Sequence, residues 1–170
     1  VENARAIRDK RFLYVKNYIP YVARGQHLTY QWKIPMQRFW EQHHKEGKTN
    51  SLQSRFFEVK EEHELFDTAK DPFCLTDLSK SPEFKNMLVQ MNKQLQKEQV
   101  KMFDAGLIPE SEINKRAQDA GLTVYETIRQ KELYNLPAYQ AAADIALAKN
   151  INNIDALITF CEDADSGVRY

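Results

Sequence analysis

The stretch Glu64-Leu65-Phe66-Asp67-Thr68-Ala69-Lys70-Asp71-Pro72 reads as the end of a short strand running into a turn. The strand is expected over 59–66. Pro72 fixes its own φ and disfavours the helical region for Asp71, so the chain must turn there. Ser81 is a suitable N-cap, and Pro82 suits a first helical position, where its missing N–H costs nothing. Phe84, Met87, Leu88, Met91, Leu95 and Met102 then recur at helical spacing, which predicts an amphipathic helix over 81–103. Upstream, Ala6-Ile7-Arg8 and Phe12-Leu13-Tyr14-Val15 flank Asp9-Lys10-Arg11 and read as a β-hairpin with a polar turn. A two-residue type I′ turn would ask Lys10 for a positive φ, so a longer or differently shaped tip is expected. The fold class is therefore α+β: a small antiparallel β-sheet packed by one long helix, followed by an all-α segment.

The 170 residues are 42% hydrophobic and 28% charged, a globular composition with little glycine. Lys plus Arg equals Asp plus Glu at 24 each, which argues against nucleic acid or a membrane surface as the partner. No apolar run is long enough to span a bilayer. Charge is uneven, with nine Lys/Arg against three Asp/Glu between Arg8 and Lys48. That local excess allows an anionic ligand. Cys74 and Cys161 lie far apart, in neither a C-x-x-C nor a metal-ligand spacing, and read as two separate thiols. The chain opens at Val1 without Met, as a piece cut from a longer protein would.

Residues 18–47 carry the most chemistry. Tyr18, Tyr21, Tyr30, Trp32, Phe39 and Trp40 are interleaved there with Arg24, His27, Lys33 and Arg38. Pro20, Gly25 and Pro35 make the first half a structured loop, and a helix is expected over 35–46 with Met36, Phe39, Trp40 and His43 on one face. Two readings stay open. The aromatics can fasten the loop to the body of the protein, or they can cover sugar rings while guanidinium and imidazolium groups meet sulfate or carboxylate oxygens. His43-His44 is no metal pair, because adjacent helical residues diverge and no third ligand stands at suitable spacing.

Beyond Asp104-Ala105-Gly106 strand signals stop. Short helices are expected over 109–118, 124–133, 137–149 and 153–162, with Gly106 and Gly121 at helix ends and Asn152-Asn153 as a cap. Asp163-Ala164-Asp165-Ser166-Gly167 has a trace of a calcium loop, but the remaining ligands are missing and a helix-capping turn fits better.

Three passages, in their order and spacing, resemble formylglycine-dependent sulfatases. Glu64-Leu65-Phe66-Asp67, Asp71-Pro72 and Asp77-Leu78 are similar to the closing segment of that family, although Glu61 stands where the family often has proline. Arg5-Ala6-Ile7-Arg8-Asp9 and Arg11-Phe12 resemble a hairpin of the same group, with Lys10 in place of a glycine. Asn17-Tyr18, Pro20, Gly25-Gln26-His27 and Tyr30 resemble a passage of bacterial enzymes related to the heparan N-sulfatases. The resemblance makes residues 1–103 a C-terminal subdomain of a bacterial sulfatase. Residues 104–170 then read as the start of a HEAT-like helical extension, whose last helix opens at Val168-Arg169.

The resemblance further implies a secreted or periplasmic hydrolase that removes sulfate from a sulfated glycan or sugar. Its partner would be the N-terminal catalytic domain of the same chain, which would supply formylglycine and calcium. Neither Cys74 nor Cys161 lies in the C/S-x-P-x-R motif from which that nucleophile arises, so no catalytic or metal-ligating residue is expected in this chain, and alone it should be inactive. The substrate-binding candidates are His27, with Arg24, Tyr30, Trp32 and Arg38. The rival reading is a non-catalytic helical-repeat module for protein interaction. The two differ in whether the side chains of 18–40 converge on an open surface or are buried.

Overall fold

The computed structural model describes residues 3–169. It is α+β, with a three-stranded antiparallel sheet in the order β1 (Ala4–Arg8), β2 (Phe12–Asn17) and β3 (His63–Asp67) among the described residues. The chain divides into two compact units, Val1–Val89 and Gln90–Tyr170.

In the first unit, β1 and β2 pair from Ala4↔Asn17 to Arg8↔Leu13, and β2 pairs β3 from Phe12↔Asp67 to Lys16↔His63. The hairpin tip turns without a left-handed residue. The Asp9 carboxylate accepts from the N–H groups of Arg11 (2.7 Å) and Phe12 (2.6 Å), so a side chain closes the turn and Lys10 needs no positive φ. Those two N–H bonds hold the Asp9 carboxyl below its ordinary value. Phe12, Tyr14 and Leu65 are buried, and the Tyr14 hydroxyl lies 2.8 Å from His63 Nδ1.

The closing stretch is held by its own acids. Asp67 accepts both Nε (2.9 Å) and Nη2 (2.5 Å) of Arg11, and Asp71 accepts the Thr76 N–H at 2.7 Å. Asp77 accepts the Leu65 N–H at 3.0 Å, while Leu78 N–H donates to Leu65 O at 2.8 Å. The outer edge of β3 is thereby closed by a loop instead of a further strand. Asp67, Asp71 and Asp77 each satisfy donors within this turn, which gives these motif positions a folding reason.

The long helix starts later than the sequence suggests. Pro82–Phe84 is a 3₁₀ turn, and Ser81 makes no side-chain cap. Helix α4, numbered after three shorter helices of the first unit, runs Lys85–Met102. Phe84 meets Phe12 with ring centroids 5.9 Å apart. The division between units falls inside α4. Its buried face is Met91, Leu95 and Gln99, whereas Met102 is exposed. Gln99 finds its partners at Asp104 (2.9 Å) and Gln140 (3.3 Å), and Gln96 donates to Asp144 at 2.7 Å. The expected covering of the sheet therefore holds at Phe84, while the buried middle of α4 packs with the second unit. The helix ends on Phe103 with φ 55° and not on Gly106.

The second unit continues with α5 (Glu110–Ala120), α6 (Val124–Thr127), α7 (Leu136–Leu147), α8 (Ile154–Cys161) and α9 (Ser166–Arg169). Gly121 closes α5 in the left-handed region as expected (φ 65°). The segment expected as a helix over 124–133 stops after one turn, which opens with a Thr123–Glu126 capping box. Asn153 stands at the N-cap position of α8 but makes no side-chain cap; the capping side chain is that of Asn150, which accepts the Asn152 N–H at the start of the 3₁₀ turn Ile151–Asn153. Ile108, Ile113, Tyr134, Leu136, Tyr139 and Val168 form the core.

Arg116 is the polar centre of this unit. It donates to Glu112 Oε1 (2.9 Å), Leu133 O (2.9 Å), Tyr139 Oη (2.8 Å), Asp165 Oδ1 (2.6 Å) and Ser166 Oγ (2.7 Å). Tyr139 donates to the other Asp165 oxygen at 2.6 Å. Asp165 thus spends its carboxylate on protein donors, and the 163–167 segment is a capping turn. Gly167 sits where an added Cβ would lie 2.8 Å from the Tyr139 ring and from Ile108.

Candidate functional site

Residues 18–25 leave the sheet and run back beside 56–62 like an informal strand. Asn17 N–H donates to Glu62 O (2.8 Å), Lys60 N–H to Pro20 O (2.9 Å), Arg24 N–H to Glu58 O (3.2 Å) and Gly25 N–H to Phe56 O (2.6 Å). Gly25 is required by packing: a Cβ there would stand 2.1 Å from the Phe56 ring. Under this pairing lies a buried carboxylate. Glu64 accepts Asn17 Nδ2 at 3.0 Å, Arg55 Nη2 at 3.4 Å, and Arg24 Nη2 in a short contact. Arg55 also donates to the carbonyls of Cys74 (3.0 Å) and Leu75 (3.2 Å). One buried acid therefore ties together the end of β2, the 18–25 segment, β3 and the 72–75 loop.

The candidates separate on this scaffold. Arg24 is turned inward on Glu64, so its guanidinium belongs to the clamp. His27, just past the clamp, is exposed and stacks on Trp32 with centroids 4.6 Å apart. Trp32 ends the single turn α1 (Thr29–Trp32), and its Nε1 donates to Glu41 Oε2 at 2.7 Å. Glu41 lies on α2 (Pro35–Lys45), with Lys45 at 2.9 Å from its other oxygen. Lys45 and Trp32 together hold the Glu41 carboxyl below its ordinary value. Tyr30, 67% exposed, and Arg38, also exposed, make no side-chain hydrogen bond, ion pair or ring contact among the described residues. His27 and Trp32 are thus brought together as a preset pair, while Tyr30 and Arg38 stand free beside them in sequence.

Helix α2 has two characters. Trp40 stacks on Phe56 (4.7 Å) and meets Phe57 edge-on (5.2 Å), and His44 stacks on Phe57 (4.6 Å), fastening the helix to the turn before β3. On the expected Met36/Phe39/Trp40/His43 face only Phe39 and His43 pair, at 4.1 Å, while Met36 and Phe39 are exposed. The aromatics divide: Trp40 fastens the helix, while His27 is exposed and Trp32 half-buried beside it. Among the described residues no group of three or more His, Cys, Asp or Glu could hold a metal ion, and Cys74 and Cys161 are free.

Glu64, Arg55 and Glu41 are parts of this site that residue patterning alone does not mark. A glutamate directly before Leu65-Phe66 in a short strand is the signal that could have pointed to Glu64, since a buried acid requires partners.

By sequence comparison the chain carries a region related to the sulfatases. The relative that supports this is described as an ulvan-active sulfatase, from Formosa agariphila, 42% identical over 113 residues. The match takes in 65% of this chain and 19% of that protein, so the chain spans about a fifth of the relative's length. No family model matches the chain. No described helix is long and apolar enough to cross a membrane.

Proposed function

We propose that this chain is the C-terminal part of a secreted or periplasmic bacterial sulfatase, akin to the heparan N-sulfatase group, that hydrolyses sulfate from a sulfated glycan. The 1–103 region would line one side of the substrate cleft, and an N-terminal catalytic domain of the same chain would bring the formylglycine nucleophile and calcium. The observation that carries this reading is the stacked pair of exposed His27 and half-buried Trp32, set by Glu41 beyond a loop clamped on Glu64, in a chain 42% identical to a sulfatase over 113 residues.

Each residue has a task in this reading. His27 donates a hydrogen bond to a sulfate or sugar oxygen. Trp32 offers a flat face to a sugar ring, and Glu41 is its positioning residue. Tyr30 and Arg38 supply further donors, the guanidinium meeting an oxyanion in its own plane. Arg24 holds the loop and is not assigned to substrate. The helices of 104–170 would begin a HEAT-like extension. The exposed Ile151, Ile154 and Ile158 along and just before α8 support a stacked neighbour there and are what favours the interaction-module alternative.

The test is desulfation by the full-length chain, with ulvan, named for the relative, as the first substrate. Loss of one charge-assisted hydrogen bond predicts that His27→Ala lowers kcat/KM by about 10- to 100-fold. The melting temperature should not move. An unchanged kcat/KM in both His27→Ala and Trp32→Ala overturns the cleft assignment. A wild-type chain that releases no sulfate from any sulfated saccharide overturns the sulfatase reading itself.

A further inference from the structure

We infer that the second unit carries a binding point for an anionic sugar residue, sulfated or carboxylated, built on Arg129 and distinct from the His27–Trp32 pair; the choice of a saccharide rests on the reading proposed above. The Arg129 guanidinium carbon lies 3.4 Å from the Tyr125 ring centroid and 4.4 Å from that of Phe103, so the cation is layered between two aromatic faces. Nη1 donates to Tyr125 O at 2.7 Å, which fixes the plane. Nε and Nη2 have no partner among the described residues, and no carboxylate pairs with this arginine.

Arg116 is enclosed by Glu112 and Asp165, and Arg169 turns its Nη1 onto the carbonyls of Asp163 and Ala164. Among these described arginines Arg129 is the one layered on aromatic rings with a donor edge left open. Its setting also carries costs that packing does not offset. Tyr125 is 65% exposed, and Phe103 is held at φ 55°, a region that disfavours bulky side chains, although a glycine stands three residues later. Strain and exposed aromatic area gathered around one unpaired cation point to a ligand.

The geometry selects the ligand class. A stacked guanidinium is rigid and weakly hydrated, and its free edge matches the paired oxygens of a sulfate ester or carboxylate. The exposed face of Tyr125 suits the apolar side of a pyranose ring. A uronate or sulfated sugar offers both at once. Such a point would hold a polymeric substrate on the protein and raise its local concentration.

The experiment is affinity electrophoresis of the full-length chain through gels containing dextran sulfate, carboxymethyl dextran or uncharged dextran, each variant compared with its own mobility in a plain gel. Wild type should be retarded by one or both charged polymers and not by uncharged dextran. Removing the charge-assisted pair predicts that Arg129→Gln weakens retention about tenfold, with Arg129→Lys close to it, because lysine keeps the charge but loses the planar fork. Lys131→Gln makes the same charge change two residues away and should stay within about twofold of wild type on the same grounds. Retention by Arg129→Gln within twofold of wild type overturns the inference, as does an equal loss in Lys131→Gln. Stronger Arg129-dependent retention by polyglutamate than by either dextran derivative overturns the saccharide assignment. Turnover of a small aryl sulfate by Arg129→Gln should equal wild type. Absence of that turnover in the wild type would count against the sulfatase reading alone and leave the gel result to stand by itself.

Discussion

Each unit is tied together by a charged cluster, and these two clusters have opposite centres. In the first unit a carboxylate, Glu64, is surrounded by Arg24, Arg55 and Asn17. In the second a guanidinium, Arg116, is surrounded by Glu112, Asp165, Tyr139, Ser166 and a carbonyl. A carboxylate only accepts, so the clamp around Glu64 is closed by long side chains reaching in. Arg24 and Arg55 remain about a quarter exposed while doing so. A guanidinium offers five N–H donors in a fixed plane, so Arg116 gathers five acceptors and is itself only 15% exposed. The first arrangement steadies a loop whose far end stays open. The second shuts its turn completely.

That contrast ranks the consequences of breaking each. Arg116→Met should be the more damaging, because it leaves Glu112 and Asp165 without their cation in a closed site. About 3–5 kcal/mol is expected, read as lost hydrogen-exchange protection at Ile113 and Tyr139. A loss confined to a few tenths would mean that water replaces the guanidinium easily. Glu64→Ala should cost less, about 2–3 kcal/mol, since the two stranded arginines can turn to solvent. Its readout is protection at Tyr14 and Leu65.

Acid should separate the clusters further. Burial pushes the Asp165 carboxyl up, but the bonds from Arg116, Tyr139 and the Gly167 N–H outweigh it and leave it below its ordinary value. Glu112 is lowered too, by Ser166 first and then by Arg116. A carboxyl depressed in the folded state contributes stability above its unfolded pKa, about 4, and that contribution disappears as pH falls through the lower folded value. The second unit should therefore lose protection as pH falls below about 4, and Arg116→Met should flatten that loss. An unchanged acid profile in the variant would remove Arg116 as the cause.

Glycine gives a finer comparison. Gly25→Ala puts a Cβ 2.1 Å from the Phe56 ring, whereas Gly167→Ala meets Ile108 and Tyr139 at 2.8 Å. Both must displace a side chain, at about 1–3 kcal/mol, with Gly25 at the upper end. Equal melting shifts for the two would mean that Phe56 swings aside freely, and with it the Trp40 stack.

What the sequence could declare follows the same division between local and distant partners. The hairpin, the turn at Asp71-Pro72 and the αL end at Gly121 were legible because each is decided by neighbours within a few residues. The site was half legible. His27 and Trp32 announce themselves as a histidine and an indole in a loop between Gly25 and Pro35. Their being stacked, and Arg24 being turned away from them, depends on Glu41 and on Glu64, which lies forty residues from Arg24. The partners of the middle of α4 were illegible for a related reason. An apolar stripe says that a face is buried but not against what, and Gln99 is buried because Asp104 and Gln140 satisfy its amide.

The smallest structural effect belongs to the residue with the largest proposed functional one. His27 is exposed, and its one ring neighbour is Trp32, which Glu41 holds independently. His27→Ala should therefore change stability by no more than about 0.5 kcal/mol, the usual range for a surface position. Trp32→Ala should cost more, because Glu41 then keeps only Lys45. Near-neutral stability at His27 is what makes the kinetic test interpretable, since any loss of turnover there cannot come from unfolding. A His27→Ala chain that melts several degrees early would reverse this. The imidazole would then be part of the fastening, alongside Arg24, and the open end of the first unit would begin at Tyr30 instead.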